Sequence, residues 1–200
     1  LLSLLFLLHW QHSAARLRSG GAQEAGCVLN HKCPRDVLTQ IRQQVRILSV
    51  TADDLFVAYS TAQGEPFNST HPSPGLCSGG LLNFPSFHGS TFMTFKMAQL
   101  YRSMFYFAFS LMELGRSQEI LHPHNQNLQS QIKTTADTVR GLINNLVCGL
   151  CDSYNLDLVE NSYIGGIQLL YQDVFMQKKL GCQLLAKYKD LMSQVAQAFL

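Results

Sequence analysis

The residues best suited to chemistry are two cysteines, Cys148 and Cys151, separated by Gly-Leu. This spacing occurs in thioredoxin-type redox pairs and in halves of zinc sites. A redox pair needs a strand-to-helix turn that lowers one thiol pKa, whereas this pair lies late in a long predicted helix. A zinc site would have to borrow Cys27, His31 and Cys33, whose spacings match no standard finger. We therefore expect structural disulfides.

Other catalytic signatures are missing from the sequence. There is no nucleophile elbow, P-loop, dinucleotide fingerprint or pair of carboxylates on one helix face. Four histidines are scattered over predicted loops without the spacing of metal ligands: His71, His88, His122 and His124. The formal net charge is only +2, and no basic run extends beyond Lys178-Lys179, which argues against nucleic-acid binding. We predict no enzyme, no cofactor and no metal site.

The start of the chain predicts secretion. An apolar block, LLSLLFLL, is followed by small residues. The block is too short to span a bilayer and is typical of the end of a secretory signal peptide. Ser13 and Ala15 fit the small residues before a cleavage site, so we expect a signal peptide at 1–15 and an extracellular domain at 16–200, without membrane insertion. The alternative for the block is a buried N-terminal helix.

Secretion changes how the cysteines are interpreted. The chain contains six: Cys27, Cys33, Cys77, Cys148, Cys151 and Cys182. An even number in an oxidising compartment predicts three disulfides, for which sequence alone allows 15 pairings. The same compartment makes Asn68-Ser69-Thr70, in a loop rich in Pro and Gly, a candidate N-glycosylation acceptor at Asn68.

Hydrophobic periodicity predicts four long helices and no strand. The clearest pattern is in the last helix, where apolar residues recur every three or four positions: Leu180, Leu184, Tyr188, Leu191, Val195 and Phe199. The predicted helices cover about 35–61, 92–114, 125–154 and 171–199. Gly115 is expected to end the second helix.

Loop lengths predict the topology. The second connection reaches at most ~31 Å, less than a helix length, so the second and third helices must be antiparallel neighbours. The other two connections are long enough to run the length of a helix. The expected fold is all-α: a long-chain four-helix bundle with up-up-down-down order. Cys27 and Cys33 then lie near Cys148 and Cys151, while Cys77 is left for Cys182. The two nested pairings of the first four cysteines stay open.

One side chain of the last helix is oddly placed. On a helical wheel, Phe175 falls about 180° from Leu184, away from the core, and Lys178 follows one turn later. An exposed aromatic residue beside a charge is the composition of a binding hot spot. The alternative is an isolated exposed apolar residue, which is common on protein surfaces.

Three stretches of the sequence resemble one cytokine family. They are YSTAQGEPF at Tyr59–Phe67, ADTVRGLINNLVCGLC at Ala136–Cys151 and DVFMQKKLGCQLLAKYK at Asp173–Lys189. All three are similar to leukemia inhibitory factor and its relatives, the interleukin-6-type long-chain four-helix cytokines. The resemblance covers essentially the whole chain, including the order of the cysteines.

The resemblance implies three disulfides and two receptor surfaces. The implied disulfides are Cys27–Cys151, Cys33–Cys148 and Cys77–Cys182. Phe175 and Lys178 match the family positions that engage the specific subunit, the leukemia inhibitory factor receptor. The positions for the shared signalling subunit, glycoprotein 130, match Gln40, Gln43, Gly141 and Asn145. The chain departs from the family pattern at Gln43 and Ile47, and also at Met176.

The helical wheel agrees with the second surface. Gln40, Gln43 and Ile47 point away from the stripe of the first helix, and Gly141, Asn145 and Cys148 away from that of the third. A helix-interior glycine costs about 1 kcal/mol relative to Ala, and a flat contact surface is one reason to keep Gly141. The alternative for Gly141 is close internal packing.

The resemblance implies a secreted, monomeric cytokine that joins the two receptor chains and triggers JAK/STAT signalling in differentiation, proliferation and survival. Another member, such as oncostatin M, is the nearest alternative, whereas ciliary neurotrophic factor lacks a signal peptide and this cysteine set. Saposin-like lipid carriers also have six cysteines, but within about 80 residues. Here the cysteines extend from Cys27 to Cys182, which argues against a lipid carrier.

Overall fold

The computed structural model describes residues 33–68, 76–79, 81, 84–152 and 166–200. The predicted signal peptide at 1–15 and Cys27 lie outside the described residues. Within them the chain forms four helices and no strand: α1 (Val37–Gln63), α2 (Met93–Leu121), α3 (Gln126–Asp152) and α4 (Val174–Phe199). The all-α prediction is confirmed, and three of the four helices lie close to their predicted bounds.

The predicted end of α2 is wrong. Gly115 does not stop the helix, which continues to Leu121 because the following turn is packed into the core, with Leu114, Ser117 and Gln118 all buried. Packing of that turn outweighs the ~1 kcal/mol that Gly costs relative to Ala in a helix interior. A Cβ at Gly115 would lie 3.7 Å from Ile132 of α3, so the glycine sits where two helices approach each other.

The helices pack in the predicted up-up-down-down order. At one end of the bundle, Arg42 near the start of α1 donates to the carbonyl of Phe199 at the end of α4, and Lys96 near the start of α2 donates to the carbonyl of Ala198. Both α1 and α2 are therefore antiparallel to α4. The disulfide Cys33–Cys148 joins the start of α1 to the end of α3, so α3 and α4 run the same way.

The core stripe of α4 is confirmed in large part. Five of the six predicted residues are buried, and only Leu180 is partly exposed. The ring of Tyr188 stacks on that of Phe107 from α2, with centroids 3.9 Å apart. Cys182 and Gln183 are buried too, because the first long loop covers this side of the helix: Gln183 donates to the Leu76 carbonyl over 3.2 Å.

Two disulfides lie within the described residues. Cys33–Cys148 has its Cα atoms 5.7 Å apart, and Cys77–Cys182 has them 5.0 Å apart. Both pairings implied by the family resemblance are confirmed. Cys151 is also disulfide-bonded, but Cys27, its implied partner, lies outside the described residues, so that pairing stays a prediction. Since Cys148 bonds Cys33, the two cysteines of the Gly-Leu motif do not form a redox pair.

None of the described helices combines the length and the apolar composition that crossing a membrane requires.

Candidate functional site

The first turn of α4 presents apolar side chains to solvent. The helix begins with Asp173, whose carboxylate accepts a hydrogen bond from the Met176 amide over 2.9 Å, a standard N-cap. Phe175 is 50% exposed, as the helical wheel predicted, and Tyr171, just before the helix, is 86% exposed. A capped helix start therefore holds an aromatic ring outside the core.

A second aromatic ring, that of Phe67, packs against Phe175. After α1 ends, Gly64 adopts φ 71°, a left-handed conformation that favours glycine. The chain then turns back, with the Phe67 amide donating to the Gly64 carbonyl over 2.8 Å. Phe67 is buried, and its ring centroid lies 5.8 Å from that of Phe175. No pattern in the sequence indicates that this loop residue meets α4.

Lys178 does not point freely into solvent. Its Nζ donates to the carbonyl oxygen of Gln63, the last residue of α1, over 3.0 Å. The main-chain carbonyl of Lys178 accepts a hydrogen bond from the Tyr59 hydroxyl over 3.1 Å. Tyr59 is fully buried, and burial raises the pKa of its hydroxyl. The start of α4 is thus attached to the end of α1 through both the side chain and the main chain of Lys178.

A polar cluster lies under this attachment. The Gln63 side chain donates to Gln118 over 2.8 Å and lies 3.2 Å from the His122 ring nitrogen. Gln129 of α3 donates to the His122 carbonyl over 3.1 Å. Burial lowers the pKa of His122, and the nearby Lys178 ammonium lowers it further. The cluster therefore joins the ends of all four helices, and its surroundings favour a neutral His122.

The second predicted surface is only partly exposed. Gln40 and Gln43 of α1 are exposed, in agreement with the helical wheel. Asn145 does not point outward as expected: it is buried, and its side-chain amide donates to Gln44 over 2.9 Å and to Gln40 over 3.3 Å. The helical wheel missed this because the edge of α3 faces α1 rather than solvent.

Gly141 lies in the same contact between α3 and α1. A Cβ added there would lie 2.7 Å from Nε2 of Gln44, so the close-packing alternative describes its surroundings better than a bare surface does. Cys148 is also buried rather than outward, because its disulfide to Cys33 packs it against the segment that precedes α1. Gln44 is the residue that sequence reasoning missed. Its position beside the core stripe of α1 carries no signal of a polar contact.

The glycosylation candidate occupies an exposed turn. Asn68 follows Phe67, and its amide donates to the Gly64 carbonyl over 3.2 Å. Ser69 and Thr70, which complete the acceptor motif, lie outside the described residues. The modification at Asn68 stays a prediction.

Across the described ranges, no group of three or more His, Cys, Asp and Glu side chains is arranged to hold a metal ion.

The sequence was also compared with known protein families. Residues 36–199 match the LIF / OSM family. The match begins one residue before α1 and ends with the last residue of α4. It therefore includes the whole bundle and both candidate surfaces.

Proposed function

Because the chain belongs to the LIF / OSM family of cytokines, we propose that it is a secreted ligand that joins the leukemia inhibitory factor receptor to glycoprotein 130. Joining the two chains triggers JAK/STAT signalling, which controls differentiation, proliferation and survival. The family is a cytokine family and not an enzymatic one, and its members act by binding receptors.

The choice of the leukemia inhibitory factor receptor rests on sequence stretches within the family match. The segments 59–67, 136–151 and 173–189 are similar to leukemia inhibitory factor, and the last of them contains Phe175 and Lys178. These two residues are proposed as the specific-receptor site. Gln40, Gln43, Gly141 and Asn145 are proposed as the site for glycoprotein 130.

The observation that carries the proposal is the half-exposed Phe175 ring on its buried Phe67 support. An exposed aromatic side chain contributes little to folding, but on binding it removes a large apolar area from water. Such a residue, held by its neighbours, is typical of an interface anchor. Tyr171 and Val174, which are close to Phe175 in the chain, are exposed apolar side chains too, so a partner could remove further apolar area from water.

The separation of the two surfaces supports binding to two receptor chains. Gln40 lies in the first turn of α1, whereas Lys178 contacts Gln63 at its last residue. At a rise of 1.5 Å per residue, these two ends of α1 are about 35 Å apart. Two receptor chains can therefore occupy one ligand together without competing for the same area.

The test is binding of the purified protein to each receptor ectodomain, followed by the same titration with Phe175→Ala. We expect binding to both ectodomains and a loss of at least about tenfold in affinity for the leukemia inhibitory factor receptor with the variant. Binding to glycoprotein 130 should not change. Wild-type affinity of Phe175→Ala would refute the site, and binding only to the oncostatin M receptor would refute the choice of partner.

A further inference from the structure

The first turn of α4 and the turn that follows α1 form one packed unit. Phe67 lies against Phe175, and Lys178 binds the carbonyl of Gln63. Gly64 lies between Gln63 and Phe67 and allows the chain to reverse there. An exposed aromatic residue and a neighbouring lysine are thus connected through a segment of α1 and its loop.

We propose that Phe67 and Lys178 are positioning residues that hold the Phe175 ring in its receptor-facing orientation. In this arrangement Lys178 acts on the receptor through Phe175 rather than through an ion pair of its own. The inference rests on the function proposed above. It differs from a direct role, in which Lys178 would pair with an acidic residue at the rim of the receptor site.

Phe67 restricts the orientation of the Phe175 ring. A phenylalanine on the first turn of a helix can adopt more than one staggered χ1 conformation. Phe67 is 5% exposed and packs against Phe175, so it limits the directions in which the Phe175 ring can turn. A ring that is ordered before binding loses less conformational entropy when the receptor covers it. Phe67 therefore favours binding without needing to touch the receptor.

Lys178 joins the start of α4 to the end of α1. The carbonyl of Gln63 is at the end of α1, where main-chain oxygens lack partners within the helix and carry the negative end of its dipole. The Lys178 ammonium binds this oxygen over 3.0 Å, and Tyr59 fixes the Lys178 main chain at the same place. The bond sets the distance between the α4 start and the loop that carries Phe67.

A direct contact between Lys178 and a receptor carboxylate would cost the protein a hydrogen bond. If Lys178 turned to a receptor carboxylate, its bond to the Gln63 carbonyl would have to break, and that oxygen would lose a charged donor. Lys178 as a whole is half-buried. The observed geometry thus favours a lysine that stays in place while the aromatic ring beside it binds.

The experiment is a double-mutant cycle measured by titration against the leukemia inhibitory factor receptor ectodomain. Lys178→Met and Phe175→Ala are compared singly and together. We expect Lys178→Met to weaken binding roughly fivefold, within the range of coupled contacts, and to have no further effect when Phe175 is already Ala. Lys178→Arg, which keeps a cationic donor, should restore wild-type affinity.

Lys179→Met is the matched control, because it removes the same charge from the next residue. If Lys178 acts by position, both methionine variants should change the salt dependence of the association rate equally. Hydrogen exchange at residues 64–68 should rise in Lys178→Met but not in Lys179→Met. Phe67→Leu should weaken binding in the same way as Lys178→Met, with circular dichroism confirming that the variant folds.

The possible failures can be told apart. Additive effects of Lys178→Met and Phe175→Ala, or a larger change in salt dependence for Lys178→Met than for Lys179→Met, would overturn the positioning role while the receptor site stands. Unchanged affinity of Phe175→Ala would refute the proposed specific-receptor site, and the positioning role with it, whereas failure of the wild-type protein to bind this ectodomain would refute the proposed function itself.

Discussion

The side-chain amide of Asn145 donates a hydrogen bond to the side-chain oxygen of Gln44 over 2.9 Å, joining α3 to α1. The same glutamine extends over Gly141, where its Nε2 would lie 2.7 Å from an added Cβ. A residue expected to face a receptor directly is therefore buried in a contact between two helices. Asn145 therefore contacts the proposed second surface through Gln44 and the exposed Gln40.

Gly141→Arg should abolish signalling while binding to the specific receptor persists. The new side chain displaces the Gln44 amide and places a bulky charge on the α1–α3 face. Titration against each ectodomain, together with a STAT phosphorylation assay, measures the two effects separately.

Gly141→Ala is the matched control for Gly141→Arg. It gains about 1 kcal/mol of helix propensity and disturbs one hydrogen bond of similar value, so its stability should stay close to wild type. Loss of both receptor activities together in Gly141→Arg would mean that the surface assignment is wrong.

Replacing both members of the Cys33–Cys148 pair by Ser should lower the melting temperature while the helical circular dichroism spectrum stays recognisable. The bond closes a loop between residues 115 positions apart, and loss of a native disulfide in a secreted domain typically costs about 2–5 kcal/mol. The double Ala variant separates this effect from burial of a hydroxyl at Cys148. An unchanged Tm in both variants would contradict a stabilising role.

Gly181→Ala should destabilise the fold by roughly 1–3 kcal/mol, the usual cost of overpacking. The added Cβ would overlap the Tyr59 hydroxyl and lie 2.8 Å from a methyl of Leu114. Both neighbours are fully buried, so neither can move aside easily. Chemical denaturation of the variant and the wild type measures the difference in the free energy of unfolding.

Two controls accompany Gly181→Ala. Gly115→Ala meets only an ordinary contact at 3.7 Å, so it should be neutral or stabilising. Adding Tyr59→Phe to Gly181→Ala removes the clashing oxygen and should recover part of the lost stability. A Gly181→Ala protein as stable as Gly115→Ala would show that the close approach has no energetic consequence.

Stability should fall as the pH drops below the ordinary pKa of histidine, about 6.5. In the folded protein, burial and the Lys178 ammonium hold the pKa of His122 below this ordinary value. As the pH falls, the unfolded chain therefore binds a proton at His122 before the folded protein does, and the folded state loses stability. Above the ordinary pKa, the stability contributed by the neutral His122 is fully present.

His122→Gln removes this proton-binding group and keeps a side chain that can donate to Gln63. Its free energy of unfolding should vary less between pH 7 and pH 5 than that of the wild type. Denaturant titrations at several pH values provide the comparison. The same pH slope in both proteins would show that His122 does not titrate differently in the folded and unfolded states.

The sequence by itself determined the helices, their order and the exposure of Phe175. Apolar residues spaced by three and four define which face of a helix is buried, and loop lengths limit which ends can meet. The family resemblance supplied the pairings Cys33–Cys148 and Cys77–Cys182, which the structure confirms. These features depend on local spacing or on the order of the chain, both of which are written in the sequence.

Only the tertiary structure decided which neighbours the surface residues have. A helical wheel gives the direction of a side chain but not what lies there, so it predicts a solvent-facing Asn145 although α1 covers this residue. Local propensity predicts a helix end at Gly115, because it does not include the packing of the next turn. Phe67 packs against Phe175, and Lys178 binds Gln63, although each pair is more than a hundred residues apart in the sequence. Contacts between residues so far apart in the chain form only once the four helices have packed.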